Sequence, residues 1–172
     1  MEYPKERDVS DHEATEELLS KRERTMSSQD YTTSFSVDQT PKEVFDAINN
    51  VRRWWKGDIE GSTNMVGGVF TYRYGDFHRS KQKITELISG KKVVWLVVKG
   101  GPNFVKDRSE WKGTKVIFEI SKKSNKTEVR FTHQGLVPRL ECYNSCTDAW
   151  GPIIRNNLRS LITRGGTTAE QV

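Results

Sequence analysis

A histidine near the end of the chain is the residue whose type and position best suit acid–base chemistry. His133 lies in an alternating stretch, residues 127–134, in which Val129, Phe131 and His133 share one inward face. A buried imidazole can hydrogen-bond a ligand or act as a base, because its pKa lies near neutrality. More often, such a histidine donates to a nearby backbone carbonyl. Both roles are open at this point, and the enzymatic one would use Tyr72 as a hydrogen-bond donor.

Two cysteines, Cys142 and Cys146, are spaced to share one face of a helix. A structural zinc ion needs two further ligands, and neither His78 nor His133 stands at the spacing of a zinc motif. A redox-active pair usually shows the Cys-X-X-Cys spacing at the start of a helix. The pair is therefore interpreted as two half-buried structural thiols, and the sequence predicts no metal and no cofactor.

One short segment combines cations with aromatic rings, as nucleic-acid-binding surfaces do: Arg52, Arg53, Trp54 and Trp55. They follow a predicted helix, where one ring usually packs inward, so nucleic acid is disfavoured as a partner. The sequence contains no Gly-X-Ser-X-Gly motif, no phosphate-binding loop and no convincing pair of catalytic carboxylates. The residues therefore favour a binding protein over an enzyme, with no catalytic residue assigned.

The element that follows His133 is predicted to be a long amphipathic helix. Apolar residues recur at three- and four-residue steps from Cys146 to Ile162, which indicates one broad buried stripe. A proline inside a helix lacks the backbone N–H and costs about 3 kcal/mol. We therefore expect a kink or a break at Pro152, or a second helix that begins there.

The preceding elements are predicted to be mainly antiparallel strands. Tyr31–Val37 is the first, and Thr40, Pro41 and Glu43 then mark the start of a helix with a capping box. Residues 52–55 form a second short helix or turn. Further strands are expected at 66–74, 78–89, 92–99, 114–121 and 127–134, with loops at 56–64 and 100–111. The second loop begins with Gly-Gly-Pro, a natural hinge, and is predicted to act as a lid.

Three segments of the chain resemble the helix-grip fold of the START/polyketide-cyclase (SRPBCC) superfamily. They are residues 35–45 with the trailing Arg53-Trp54-Trp55, residues 127–136, and residues 149–151 leading to 158–161. Within that superfamily the chain is similar to the family of activators of heat-shock-chaperone ATPase. The resemblance implies an α+β helix-grip fold, in which a curved antiparallel sheet wraps around a long C-terminal helix, with two short helices after the first strand. It also implies a cavity that in many relatives holds an apolar ligand.

The cavity of such a fold would be lined by inward-facing sheet residues and by the helix stripe. Aromatic rings with a few polar ends suit a small-molecule pocket, because the ring buries area and the OH or NH fixes orientation. The alternative is that these rings simply fill the core. The predicted lining residues are Trp54, Phe70, Tyr72, Trp95, Phe118, Phe131, His133, Trp150 and Ile154.

Composition and charge divide the chain into a leader and a domain. The 172 residues carry a formal net charge of +5, but residues 1–30 alone carry −4. We predict a mobile polar leader at 1–29, a ligand-binding domain at 30–166 and a disordered tail at 167–172. No apolar run approaches the roughly 20 residues of a membrane span, and no secretory signal is recognised, so a cytoplasmic protein without a membrane partner is expected.

Three hypotheses of function follow from the sequence. The first is a cytoplasmic protein that binds a small apolar or amphipathic molecule in a cavity between the sheet and the C-terminal helix. The second is an interaction module that docks on a chaperone through its basic surface in the stress response and needs no ligand. The third is a cyclase- or hydrolase-type enzyme that uses His133.

Overall fold

Seven antiparallel strands form one sheet that curls around a C-terminal helix. The computed structural model describes residues 15–17 and 29–165. The strands are β1 (Tyr31–Val37), β2 (Asp58–Gly61), β3 (Val69–Tyr74), β4 (His78–Ile88), β5 (Lys92–Pro102), β6 (Lys115–Lys123) and β7 (Lys126–Gln134). Their spatial order is β1-β7-β6-β5-β4-β3-β2, so every neighbour but the β1–β7 pair is also consecutive along the chain. This architecture confirms the predicted α+β helix-grip fold.

The helices lie on one face of the sheet. They are α1 (Pro41–Asn49), a 3-10 turn (Val51–Arg53), α2 (Tyr143–Pro152), a π-helical segment (Ile153–Leu158) and α3 (Arg159–Thr163). The capping box predicted for α1 is present, since Thr40 Oγ1 accepts from the Glu43 N–H at 3.2 Å and Glu43 Oε2 accepts from the Thr40 N–H at 2.8 Å. Among the described residues, no helix is long and apolar enough to cross a membrane.

The C-terminal helix does not break at Pro152. The residue keeps right-handed helical dihedral angles, and Ile153 continues in the same conformation. The helical path changes to the wider π pattern over Ile153–Leu158 and returns to α-helix at Arg159. π-Helical turns are rare, and they occur mostly as single-turn bulges inside α-helices. The missing N–H of Pro152 is therefore followed by a local change of helical pitch: the predicted break and the separate second helix do not occur, and the predicted kink stays a prediction.

Two predicted loops contain strand residues, so their predicted extents were wrong. The predicted loop 56–64 contains β2, a short polar edge strand that pairs with β3. The predicted loop 100–111 begins later, because β5 continues through Gly100 and Gly101 to Pro102 and pairs with β4. Gly100 has a φ of 85°, and a Cβ there would overlap the carbonyl oxygen of Arg79. The Gly-Gly-Pro segment therefore bends a strand, and the connecting loop starts at Asn103.

The predicted leader and tail are largely beyond the described part of the chain. Of residues 1–29, the structure describes only residues 15–17, which are helical, and residue 29. The predicted tail at 167–172 lies entirely outside the described residues. The predicted domain at 30–166 covers every strand and helix named above, and its exact limits stay a prediction.

Candidate ligand-binding cleft

The centre of the space between sheet and helix is packed with buried aromatic rings. Trp54 stacks on Trp95 with ring centroids 6.2 Å apart, and Phe118 meets Trp95 edge to face at 5.3 Å. Such offset and edge-to-face arrangements are the favourable ones for aromatic pairs. We call this region the closed interior. It contains seven residues with at most 1% exposure: Trp54, Phe70, Trp95, Phe118, Phe131, His133 and Ile154.

His133 is held in the closed interior by partners on both ring nitrogens. Its Nδ1 accepts from Trp150 Nε1 at 3.1 Å, so the ring proton is on Nε2 and is donated to Thr114 Oγ1 at 2.8 Å. The Thr114 hydroxyl in turn donates to the Trp111 carbonyl at 2.6 Å. Burial lowers the pKa of His133 to about 3, so the ring is neutral at physiological pH. Neither nitrogen is left to contact a ligand or to accept a substrate proton.

An open cleft begins where the closed interior ends. Its volume is about 240 Å³, and its walls come from the β3–β4 hairpin, the end of β5, the loop 103–114 and one face of α2. Buried rings form its floor, whereas Tyr74, Phe77 and Phe104 at its mouth are 53%, 62% and 53% exposed. We call it the aromatic cleft. Its lining residues are Trp55, Tyr72, Tyr74, Phe77, His78, Pro102, Phe104, Trp111, Ser145, Cys146, Ala149, Trp150 and Ile153.

The floor of the aromatic cleft is rigid. Tyr72 stacks on Trp55 with ring centroids 3.7 Å apart, and its hydroxyl donates to the Lys56 carbonyl at 2.6 Å. Burial raises the pKa of Tyr72 well above its usual range, so the hydroxyl remains a protonated donor committed to the backbone. Trp111 stacks against Trp150 at 5.9 Å on the opposite side. The floor is therefore preorganised, and its tyrosine hydroxyl is already occupied.

A polar relay reaches the cleft at His78. Gln82 Nε2 donates to Ser80 Oγ, and Ser80 Oγ lies 2.8 Å from His78 Nε2. The His78 ring meets Trp111 edge to face at 4.5 Å, and burial lowers its pKa to about 4. His78 therefore stands as a neutral polar group among the rings of the cleft.

Two carboxylates fasten the loop 103–114 to the start of α2. Glu110 accepts from the backbone N–H groups of Glu141 at 2.8 Å and Cys142 at 3.2 Å, just before the first turn of α2. Glu141 in return accepts from the Lys106 N–H at 2.8 Å. Carboxylates are favourable at a helix N-terminus because they satisfy free N–H groups and face the positive end of the dipole. The loop that carries Phe104 and Trp111 is thus anchored, and its predicted lid movement stays a prediction.

The two cysteines are buried and free. They lie at one edge of the cleft, where Cys146 is a lining residue. The hydrogen bond with Cys146, together with burial, raises the pKa of the Cys142 thiol. Within the described residues, no group of three or more His, Cys, Asp or Glu side chains is placed to hold a metal ion. Cys142 is 0% and Cys146 6% exposed, so both side chains are more deeply buried than the half-buried state predicted from the sequence.

The nine predicted lining residues divide between the two regions. Tyr72 and Trp150 line the aromatic cleft, and the other seven form the closed interior. Most of the cleft was not predicted, because its residues come from turns and loops that show no periodicity. Tyr72, Tyr74 and His78 stand close together in the sequence around the Gly75-Asp76 turn, and this cluster of aromatic and polar residues is the sequence signal that points to the cleft. Ligand binding at the nine residues remains a prediction.

Comparison with known proteins assigns the chain to a family. A family model described as "Activator of Hsp90 ATPase homolog 1-like protein" matches residues 38–163, well over half of the chain. The chain belongs to this family. The match confirms the resemblance identified from the sequence, and it spans all the elements from α1 to α3. No curated protein matches the chain.

Solved structures share the fold at low sequence identity. The Aha1 dimer from Colwellia psychrerythraea is 23% identical with a TM-score of 0.62, over 81% of this chain and 97% of that one. Protein MLL2253 from Mesorhizobium loti is 14% identical with a TM-score of 0.62, over 82% and 100%. DynU16, a putative protein in the dynemicin biosynthetic locus, is 15% identical with a TM-score of 0.58, over 79% and 48%. At these identities the likeness extends to the fold alone.

Proposed function

We propose that this protein binds a small apolar or amphipathic molecule in the aromatic cleft. The observation that carries the proposal is a preformed cleft whose floor is buried rings and whose mouth holds three exposed aromatic side chains, Tyr74, Phe77 and Phe104. Exposed aromatic clusters on a soluble domain generally mark a binding site, and ligand sites are typically apolar with a few polar groups.

The size of the cleft limits the ligand. Its volume of about 240 Å³ is below the roughly 300–1,000 Å³ of sites for drug-sized molecules. A compound of one or two rings fits this space, with any longer substituent extending past Phe77 and Phe104 into solvent. Binding would be driven by burial of apolar area, at about 25 cal/mol per Å² before the cost of ordering the ligand.

The first experiment follows the five indole N–H signals by two-dimensional NMR during titration with 2-acetylnaphthalene. Trp55, Trp111 and Trp150 line the cleft, whereas Trp54 and Trp95 lie in the closed interior. Binding in the cleft predicts shifts for the first three signals that saturate with added compound. Equal shifts of all five, or none at concentrations up to the solubility limit, would contradict the proposal.

A matched pair of variants on α2 tests the location. Ala149→Phe places a ring in the cleft from an exposed helical position, and Asn144→Phe places the same ring on the same helix outside it. We expect Ala149→Phe to abolish the saturating shifts and Asn144→Phe to preserve them. Native mass spectrometry of protein purified from its own host complements this, since a bound mass that is lost on denaturation identifies the natural ligand.

A second candidate function is docking on a chaperone, as the family description suggests. The observation that favours it is a group of exposed cations on the outer face of the sheet. In the strand register, Arg73 lies opposite Arg79, and Lys81 lies opposite Lys99. Like charges opposite each other in a sheet are destabilising, so they suit a surface that meets an anionic partner. Within residues 29–165, no ion pair involves Arg79, Lys81 or Lys99.

A salt series distinguishes this candidate from ligand binding. Docking through the cations predicts binding to an Hsp90-type chaperone that weakens steeply between low and physiological ionic strength. The charge reversals Lys81→Glu and Lys99→Glu should remove that binding and leave the indole shifts with 2-acetylnaphthalene unchanged. Chaperone binding that is insensitive to salt and to both reversals would exclude this surface.

A further inference from the structure

We infer that the natural ligand of the aromatic cleft is an uncharged ring compound with a carbonyl or ether oxygen, which accepts a hydrogen bond from His78 Nδ1. This inference rests on the proposed function and specifies its ligand class. It follows from three features of the cleft: the direction of the polar relay, the free ring nitrogen at its end, and the absence of charge in the lining.

The relay determines which nitrogen of His78 carries the proton. Gln82 uses an amide N–H to donate to Ser80 Oγ, so the Ser80 oxygen already accepts one hydrogen bond. A hydroxyl has a single proton to donate, and the one remaining partner recorded for Ser80 Oγ is His78 Nε2 at 2.8 Å. If Nε2 carried the ring hydrogen instead, the buried Ser80 hydroxyl would be left without a recorded acceptor among the described residues, so we assign Nε2 as the acceptor of that proton. In a neutral imidazole the other nitrogen then carries the hydrogen, so Nδ1 is a donor.

The donor at the end of the relay is free. Within residues 29–165, His78 Nδ1 has no hydrogen-bond partner, and it is not among the fully enclosed polar atoms that lack one. His78 is a lining residue of the cleft, so we assign Nδ1 as the donor that a ligand in this space would meet. The contrast with His133 is direct, since both ring nitrogens of that residue are bonded within the protein.

The lining disfavours a charged ligand group inside the cleft. None of the thirteen lining residues is Lys, Arg, Asp or Glu, and burial lowers the pKa of His78 to about 4, so the imidazole itself is uncharged at pH 7. An isolated carboxylate moved into such surroundings would lose its hydration with no counter-ion to replace it. An uncharged oxygen acceptor loses far less hydration and recovers it through one hydrogen bond. The cleft is therefore matched to a ketone, lactone or aryl ether on a ring framework.

Three probes of nearly equal shape test the inference. They are 2-acetylnaphthalene, which offers a neutral acceptor, 2-isopropylnaphthalene, which offers none, and 2-naphthoate, which is charged. Affinities are measured at pH 7 by the indole N–H shifts. We expect 2-naphthoate to bind most weakly. In His78→Phe, affinity for the ketone should fall about fivefold to tenfold, the equivalent of one net hydrogen bond, while affinity for the hydrocarbon stays within twofold.

A measurement on the unmodified protein keeps the test independent of how well the variant folds. The nitrogen shifts of the His78 ring, read from long-range proton–nitrogen NMR at pH 7, should show a neutral ring protonated on Nδ1. A ring protonated on Nε2 would overturn the inference, because Nδ1 would then be an acceptor and call for a donor on the ligand. Equal losses of ketone and hydrocarbon affinity in His78→Phe would also overturn it.

The same experiment separates this inference from the proposed function. If the hydrocarbon and the ketone both bind and the variant does not distinguish them, the cleft binds ligands without His78 as the donor. If none of the three probes shifts the signals of Trp55, Trp111 and Trp150, the proposed function itself fails. If 2-naphthoate binds more tightly than 2-acetylnaphthalene, the cleft is still the binding site, but the proposed uncharged ligand class is refuted.

Discussion

The closed interior and the aromatic cleft are built from the same kinds of residue, yet they differ in what surrounds each ring. Trp95 packs nearly parallel to both Trp54 and Trp55 and meets Phe118 edge to face. At the other end, Phe77 and Phe104 lie on a hairpin turn and a loop, where rings remain exposed. Aromatic content alone therefore does not make a pocket. The pocket forms where the rings are carried by a turn and a loop and are not covered by other side chains.

The two histidines express the same difference. His133 in the closed interior has both nitrogens bonded, and it connects α2, through Trp150, to Thr114, the residue just before β6. His78 in the cleft has one nitrogen bonded and one free. A saturated histidine stabilises the fold, whereas a histidine with a free nitrogen in a cleft can select a ligand.

The strongest test of the comparison is to remove a ring from the closed interior. Trp95 is 0% exposed and contacts four aromatic rings, so Trp95→Ala should lower the free energy of unfolding by about 3–5 kcal/mol. Urea denaturation monitored by far-ultraviolet circular dichroism measures this loss. A loss below about 1 kcal/mol would mean that the interior is less tightly filled than the ring distances indicate.

The next test uses pH, because both histidines are neutral in the folded state. Burial lowers the pKa of His78 to about 4 and that of His133 to about 3, from an ordinary value of 6.5. The unfolded chain therefore takes up more protons as the pH falls from about 6.5 to about 4. The free energy of unfolding should decrease over this window by up to about 1.4 kcal/mol per pH unit for each histidine.

His78→Phe isolates one of the two contributions to the pH dependence. Urea denaturation at pH 7, 6 and 5 should give a shallower decline for the variant than for the unmodified protein. Identical declines would show that His78 titrates normally and is open to water, which would weaken the contrast between a dry floor and an exposed mouth.

A third test concerns the hydrogen bonds of His133. Thr114→Val keeps the shape of the side chain but removes the acceptor of the His133 Nε2 proton. A buried donor without a partner costs about 1–3 kcal/mol, so the free energy of unfolding should fall by that amount. Thr71→Val, a change of the same kind on a partly exposed strand residue without a recorded side-chain hydrogen bond, serves as the control and should change it by less than about 0.5 kcal/mol.

A fourth test loosens the mouth of the cleft without touching its rings. Glu110→Gln weakens the acceptor of two N–H groups before α2, and a capping interaction of this kind is worth about 1 kcal/mol. We expect faster amide hydrogen exchange in the loop 103–114 and at the start of α2, with unchanged exchange in β6 and β7. Faster exchange throughout the sheet would mean that the loop and the closed interior unfold as one unit.

The smallest expected effect on stability is at the rim. Phe104 is 53% exposed, so Phe104→Ala should change the free energy of unfolding by less than about 0.5 kcal/mol. The same substitution should weaken the binding of 2-acetylnaphthalene, because it removes one wall of the cleft. A large loss of stability with unchanged binding would reverse the roles assigned to the two regions.

The fold could be predicted from the sequence because its main elements have strong local signals. The alternation of β7, the capping box at Thr40 and Glu43, and the apolar stripe of the C-terminal helix all appear where the residue pattern places them. The edge strand β2 could not be predicted, since its four residues include only one large apolar side chain, Ile59, and are too few to show alternation. The π-helical segment after Pro152 could not be predicted, because it depends on the packing of the helix as well as on its sequence.

The candidate site could be predicted only in part. Periodicity identifies which residues face inward, and it correctly placed Phe118, Phe131 and His133 on the buried face. It does not reveal whether inward-facing rings touch one another or leave a space, because that depends on distances between strands that are far apart in sequence. Phe104 and Trp111 belong to a loop, where no pattern relates sequence to position.

The stacking of tryptophans has an optical consequence. All five indoles of the chain form one connected series, Trp54, Trp95, Trp55, Trp150 and Trp111, with successive ring centroids 5.0–6.2 Å apart. Chromophores this close share their excited states, so the protein should show an exciton couplet in the far-ultraviolet circular dichroism spectrum, superimposed on the signal of the backbone. That couplet would report the integrity of the ring series through a single spectrum, and helix contents calculated without it would be in error.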